Sequence, residues 1–158
     1  MPPGWSLGHE AGIGAVQIPM AIQRTLCIIK PDAFEKRKAG EILKRVLEEG
    51  FRVLALKQVV LSLREAQGFY AVHRERPFFA ELTSFMSSGP IIAAALERED
   101  AVQRWRDVIG ATDPAKAGEG TIRKLHGASL GQNAVHGSDS EENGRIECAY
   151  FFAGMDLL

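Results

Sequence analysis

Thr25-Leu26-Cys27-Ile28-Ile29-Lys30-Pro31-Asp32-Ala33 opens with an unbroken apolar run and closes on a lysine and a proline. A strand with one wet face alternates apolar and polar residues, whereas a short run without alternation suits a strand buried on both faces. Thr25 to Ile29 therefore reads as a central strand. Pro31 has no donor for the ladder and ends the pairing, so Lys30 emerges where the strand leaves the core. A second run of this kind, Ile91-Ile92-Ala93-Ala94-Ala95-Leu96, follows the Gly89-Pro90 turn and is the other candidate for the sheet centre. Its small side chains let helices pack close.

Outward from these two runs, Ile42, Leu43, Val46 and Leu47 recur at helical spacing between Gly40 and Glu49, with Glu41, Lys44, Arg45 and Glu48 opposite. Gly50 stops that helix. Phe51 to Val60 alternates as a strand. Ser62-Leu63-Arg64-Glu65 is a capping box that starts a helix expected to include Phe69, Tyr70 and His73. Pro77 breaks it, and Phe78 to Met86 reads as the second half of a helical hairpin. Asp100 is expected to cap a short helix that turns Val102, Trp105 and Ile109 inward and ends at Gly110. Residues 111–138 show weak periodicity and read as a loop longer than the ~12–15 residues usual in compact domains, a length that tends to be functional. Ile146 to Phe152 is expected to be the closing strand. This order of elements predicts an α+β fold: a ferredoxin-like sandwich, with a four-stranded antiparallel sheet and helices packed on it.

A chain of 158 residues suits one domain and can bury roughly 70% of its unfolded surface. With 46% hydrophobic and 25% charged residues and a net charge of −1, no global field draws in nucleic acid or an anionic membrane, so any anion site must be local. An RNA-binding sandwich is disfavoured because neither a basic face nor an aromatic-rich strand motif is present. Cys27 and Cys148 sit in or near apolar runs and read as buried small hydrophobes in a reducing compartment. No apolar run approaches the ~20 residues of a membrane span. Residues 1–23 are rich in glycine and proline and read as a flexible N-terminal extension, before a domain over 24–152 and a tail over 153–158. The extension lacks a secretory signal pattern, which points to a cytoplasmic address, and Met20 is a candidate natural start.

The chemistry concentrates in Asn133-Ala134-Val135-His136-Gly137-Ser138-Asp139. A neutral imidazole held in one tautomer by a bond to one nitrogen exposes the other as a nucleophile toward phosphorus. Gly137 would leave room for a bulky polyanion and allow a strained turn, and Ser138 and Asp139 can bond backbone or ring. A lone histidine in a glycine-serine turn is ordinarily a surface residue, so the rest of the chain decides. Lys30, Arg106 and Arg123 offer charge to phosphates, Thr112 and Asn133 offer neutral hydrogen bonds, and Glu147 could hold a ring or hydroxyl in place. Neither a Walker loop nor a kinase-type glycine-rich loop is present, which favours a covalent histidine relay over an ordinary nucleotide kinase.

From about Gln23 to Phe152 the chain resembles nucleoside diphosphate kinase. The resemblance rests on Thr25 to Ala33, Arg76-Pro77-Phe78-Phe79, Ser88-Gly89-Pro90, Gly110-Ala111-Thr112-Asp113-Pro114, Gly120-Thr121-Ile122-Arg123 and Asn133 to Asp139, in collinear order. It implies ping-pong transfer of a γ-phosphoryl from a nucleoside triphosphate, usually ATP, to His136 and then to a nucleoside diphosphate. Mg²⁺ would be held mainly through the nucleotide phosphates. It implies catalytic roles for His136, Lys30, Ser138 and Glu147, the serine and glutamate supporting the histidine. Nucleotide contacts fall on Lys30, Tyr70, Arg106, Thr112, Arg123 and Asn133, with Phe78 stacking on the base, a mode tolerant of base identity. Family members are commonly homotetramers or homohexamers, with no membrane or specific nucleic-acid partner. The chain departs from the family pattern at Lys124-Leu125-His126, where a small, an acidic and an apolar or aromatic residue are usual. His126 reads as a loop-surface residue and His73 as structural.

Overall fold

A computed structural model of the chain describes residues 20–158. The expected upstream extension falls largely on residues 1–19, outside the described residues. The strands β1 (Ile22–Ile29), β2 (Arg52–Val59), β3 (Ile91–Glu99) and β4 (Val135–His136) form one antiparallel sheet in the order β2-β3-β1-β4. The two unbroken apolar runs thus occupy the centre, as expected. Cys27, Ile29, Ala94 and Leu96 join one core cluster, while Leu26, Ile28, Ala93 and Ala95 join another. Alternate residues of the same strands feed different cores, so neither face has room for polar alternation.

Helices cover both faces. On the first, Ile42 and Val46 of α2 (Ala39–Glu48) and Trp105, Val108 and Ile109 of α5 (Ala101–Ile109) close the core. On the second lie Ala66 of α3 (Leu63–Phe69), Met86 of α4 (Phe79–Met86) and Cys148 and Phe151 of α7 (Glu141–Phe151). Two short helices complete the set: α1 (Pro31–Glu35) directly after β1, and α6 (Ile122–His126). The capping box of α3 is formed, with Ser62 and Glu65 exchanging side-chain and backbone bonds.

The largest departure from the sequence reading is at the C-terminal end. Residues Ile146 to Phe152 are not the closing strand: through Phe151 they belong to α7, which begins where Ser140 Oγ accepts from Asn143 N at 3.1 Å. Gly144, Cys148 and Phe151 are the residues that α7 buries, a helical rather than alternating period. Gly144 lies so close to β1 that a Cβ there would sit 2.3 Å from the Arg24 carbonyl oxygen. The strand that completes the sheet is β4, inside the stretch expected to be loop, pairing His136 with Ile28 and Val135 with Ile29. The same stretch also holds α6, capped by Thr121. Two further expectations shift. Asp100 precedes α5 in a left-handed conformation (φ 52°) without a side-chain cap, and Gln23 Oε1 of β1 instead accepts from Val102 N at 3.3 Å. The helix α3 stops at Phe69, Tyr70 follows it, and His73 falls in a tighter 3₁₀ turn over Ala71–His73.

Candidate active site

The stretch around His136 is built on a strained alanine. Ala134 is fully buried with φ 73°, a conformation that costs a non-glycine residue about 1–2 kcal/mol. The surroundings over-determine it: Ala134 N donates to Asp32 Oδ2 at 3.1 Å, and Ala134 O accepts from Lys30 N at 2.9 Å. The strain expected at Gly137 therefore sits at Ala134. What Gly137 makes room for is α5, since a Cβ there would lie 2.8 Å from Trp105 Cδ1 and 3.0 Å from Ile109 Cδ1. Trp105 Nε1 donates to the His136 carbonyl at 3.1 Å, pinning β4 from the same side.

The His136 ring meets the structure through Nε2, which pairs with Glu147 Oε1. Glu147 lies within α7 rather than in the expected closing strand, and the helix brings it to the imidazole. The same carboxylate oxygen accepts from Ser138 Oγ at 3.3 Å. Ser138 is itself fully buried, accepting from Leu26 N at 3.0 Å and donating its own N–H to Thr25 Oγ1 at 3.2 Å. Glu147 and Ser138 thus form a polar frame behind the ring, and Nδ1 is the ring nitrogen outside it.

Two cations enter from the protein interior. Lys30 is 7% exposed and donates from Nζ to Asn133 Oδ1 at 2.8 Å. Burial first, then the neighbouring Arg123, pull its ammonium down to about 8, against the opposing pull of Asp32. Arg123 is 8% exposed, donates from Nη1 to Gly110 O at 3.0 Å and from Nη2 to Val135 O at 2.9 Å, and leaves Nε buried without a partner. Burial and then Arg106 bring it down to about 10, so it stays charged at neutral pH. Such groups are held at a cost in the free protein and favour an arriving anion.

Lys30, Arg106 and Arg123 line one cavity of about 940 Å³ together with Thr112, Asn133 and His136. A second cavity of about 570 Å³ shares Lys30, Thr112, Asn133 and His136 but is walled by Tyr70, Phe78 and Leu130. Asn133 ties the two together, donating from Nδ2 to Thr112 O at 3.0 Å. All the sequence-selected residues but Ser138 and Glu147 therefore line the cleft, and those two stand behind His136. Tyr70 is buried with its hydroxyl unpartnered, and burial first, then Glu147, raise it well above the usual phenol range.

Three contributors escaped the sequence reading. His73, expected to be structural, lines the second cavity with its ring 5.7 Å from Phe78. Leu130 is exposed on the wall of that cavity, a leucine in a polar loop that could have drawn notice. Asp32 holds the strained Ala134, a role no local pattern announces. The departure at Lys124-Leu125-His126 lies in α6 and lines neither cavity, with His126 Nε2 3.7 Å from Glu41. Among the described residues, no group of three or more His, Cys, Asp or Glu side chains could hold a metal ion, and no helix is long and apolar enough to cross a membrane.

Comparison with known proteins agrees with this geometry. A family model described as nucleoside diphosphate kinase matches residues 23–157. The chain is 61% identical over 138 residues to a nucleoside diphosphate kinase of Sorangium cellulosum, covering 87% of this chain and 96% of that protein. A relative of the same name from Syntrophotalea carbinolica is 56% identical over 137 residues, with 87% and 100% covered. Among solved structures, the Aquifex aeolicus nucleoside diphosphate kinase superposes with a TM-score of 0.85 at 48% identity, over 87% of this chain and 100% of that one. The Halobacterium salinarum enzyme in complex with CDP gives 0.83 at 36% identity, over 87% and 92%. With the family model spanning nearly all of the described chain and relatives of this identity at full length, the chain belongs to the nucleoside diphosphate kinase family.

Proposed function

We infer that this chain transfers a phosphoryl group from a nucleoside triphosphate to a nucleoside diphosphate, with His136 as the covalent carrier. The observation that carries the assignment is the position of His136: its Nε2 is engaged by Glu147 while the residue lines both the cationic cavity and the aromatic-walled one. The base lies in the second cavity against Phe78, 48% exposed, with Leu130 facing the same space and Tyr70 and His73 beside it. The phosphates extend past Thr112 and Asn133 toward Lys30, Arg106 and Arg123. In the first half-reaction the Nδ1 lone pair forms a bond to the γ-phosphorus, the bond from that phosphorus to the β,γ-bridging oxygen breaks, and the diphosphate leaves with the electron pair. The ring gains positive charge as this happens, and Glu147 on Nε2–H offsets it. The second half-reaction reverses these steps with a different diphosphate.

The nucleotide enters as its Mg²⁺ complex, the metal travelling with the substrate phosphates while the three protein cations meet the remaining charge. The same reading takes the working form to be a tetramer or hexamer, acting in the cytoplasm. Exposed apolar side chains such as Val72 and Met155 support assembly, and the free buried thiols of Cys27 and Cys148 support a reducing compartment.

The test is incubation of the purified protein with γ-labelled ATP and Mg²⁺ in the absence of acceptor. One acid-labile, base-stable phosphate per chain is expected on His136, and it should leave on addition of a nucleoside diphosphate. His136→Ala should retain nucleotide binding within about tenfold and lose on the order of 10³ or more in turnover. Turnover that survives the substitution excludes the relay.

A further inference from the structure

One hydrogen bond does not set the plane of an imidazole. The Cβ–Cγ torsion of histidine is broad and roughly two-fold, so a ring anchored only at Nε2 can rock about its anchor. A nucleophile aimed at phosphorus needs a narrower range than that. The structure supplies a second restraint on His136 from a residue that has entered neither the chemistry nor the nucleotide contacts. Phe69, the last residue of α3, stands with its ring centroid 5.5 Å from that of His136 and its plane at 77° to it. This is the perpendicular arrangement in which the positive edge of one ring meets the negative face of the other.

Phe69 cannot easily yield, because aromatic neighbours hold it in turn. Its centroid lies 4.8 Å from Tyr70, 5.3 Å from Phe151 and 5.6 Å from Tyr150. Tyr150 is fixed by donating its hydroxyl to Glu65 O at 2.7 Å, which ties α7 to α3. The helix that brings Glu147 to Nε2 is therefore also locked to the residue that flanks the ring. We propose that Phe69 is a positioning residue that sets the ring plane of His136, keeping Nε2 on Glu147 and Nδ1 free for phosphorus. This rests on the reading of His136 as the phosphorylated residue.

Single-turnover labelling with γ-labelled ATP and Mg²⁺, together with equilibrium nucleotide binding, tests it on the full chain. Phe69→Leu should slow phosphorylation of His136 about three- to tenfold, the worth of one aromatic pair, while nucleotide affinity stays within about twofold. Phe69→Tyr, which keeps the ring, should restore the rate. Val46→Ala removes packing from the core on the other face of the sheet, away from the rings that hold Phe69, and should lower thermal stability comparably with the rate retained. If Phe69→Leu does not fold, Phe69→Met carries the same expectation. An unchanged rate in the leucine or methionine variant, failure of tyrosine to rescue, or equal slowing in Val46→Ala would overturn the role of Phe69 and leave the relay standing. Absence of label on His136 in the unaltered protein would overturn the relay itself, and this role with it.

Discussion

Replacing Lys30 by methionine should make the nucleotide-free protein behave differently with pH, and the sign follows from burial. Lys30 is 7% exposed and its ammonium is lowered from 10.5 to about 8, chiefly by burial and secondarily by Arg123. A lysine whose folded value lies below its unfolded one is carried at a cost at neutral pH. The unfolded chain holds the extra proton between about 8 and 10.5, so stability rises with pH across that window. At about 1.36 kcal/mol per unit, the cost is about 3 kcal/mol at pH 7 and falls by about 2 kcal/mol by pH 9.5. Methionine cannot titrate. It also removes the bond to Asn133 Oδ1, which costs roughly 1–3 kcal/mol as an offset that does not depend on pH in this range. Paired urea unfolding of both proteins at pH 7 and pH 9.5, at equal concentration because assembly also stabilises, isolates the slope from the offset. Lys30→Met should lose about 2 kcal/mol of stability relative to the unaltered protein over that interval. A difference that stays constant, or moves the other way, would refute the claim that Lys30 is held charged at a cost. The same reasoning gives a functional corollary: a bound polyanion restores the proton to Lys30, so nucleotide affinity should weaken as the pH rises through about 8.

Other changes probe the frame of the site. Glu147→Gln keeps a hydrogen-bond acceptor on His136 Nε2 but removes the charge that offsets the developing imidazolium, so rapid-quench measurement should show phosphohistidine formation slowed roughly tenfold or more with nucleotide affinity retained. Ala134→Gly relieves a left-handed alanine and should raise the urea midpoint by the equivalent of about 0.5–1 kcal/mol, whereas Ala134→Val should lower it. Gly137→Ala drives a methyl group to 2.8 Å from Trp105 Cδ1, and thermal unfolding should report a loss of about 1–3 kcal/mol as α5 and β4 separate.

The sheet centre was legible because Thr25–Ile29 and Ile91–Leu96 are apolar without alternation, a pattern that burial on both faces imposes directly on composition. The capping box at Ser62, the amphipathic α2 and the residue types of the cleft were legible for a similar reason: each is a local requirement written in adjacent residues. The closing strand was not. Val135 and His136 make a strand of two residues, too short for any period to register, and it exists only because Ile28 and Ile29 offer it an edge. Residues 146–152 misread as that strand because a short apolar run does not distinguish periods of two and 3.6 until its partners are known. The packing of Gly144 on β1, which selects the helix, lies far away in the chain. The site divides in the same way. Sequence supplied the nucleophile, the cations and the neutral donors as residue types in order along the chain. Tertiary structure alone decided that Ala134 rather than Gly137 bears the strain, that Glu147 rises from a helix to meet Nε2, and that Phe69 lies across the His136 ring. Those relations depend on distances between segments far apart in the chain, and no local sequence pattern encodes such a distance.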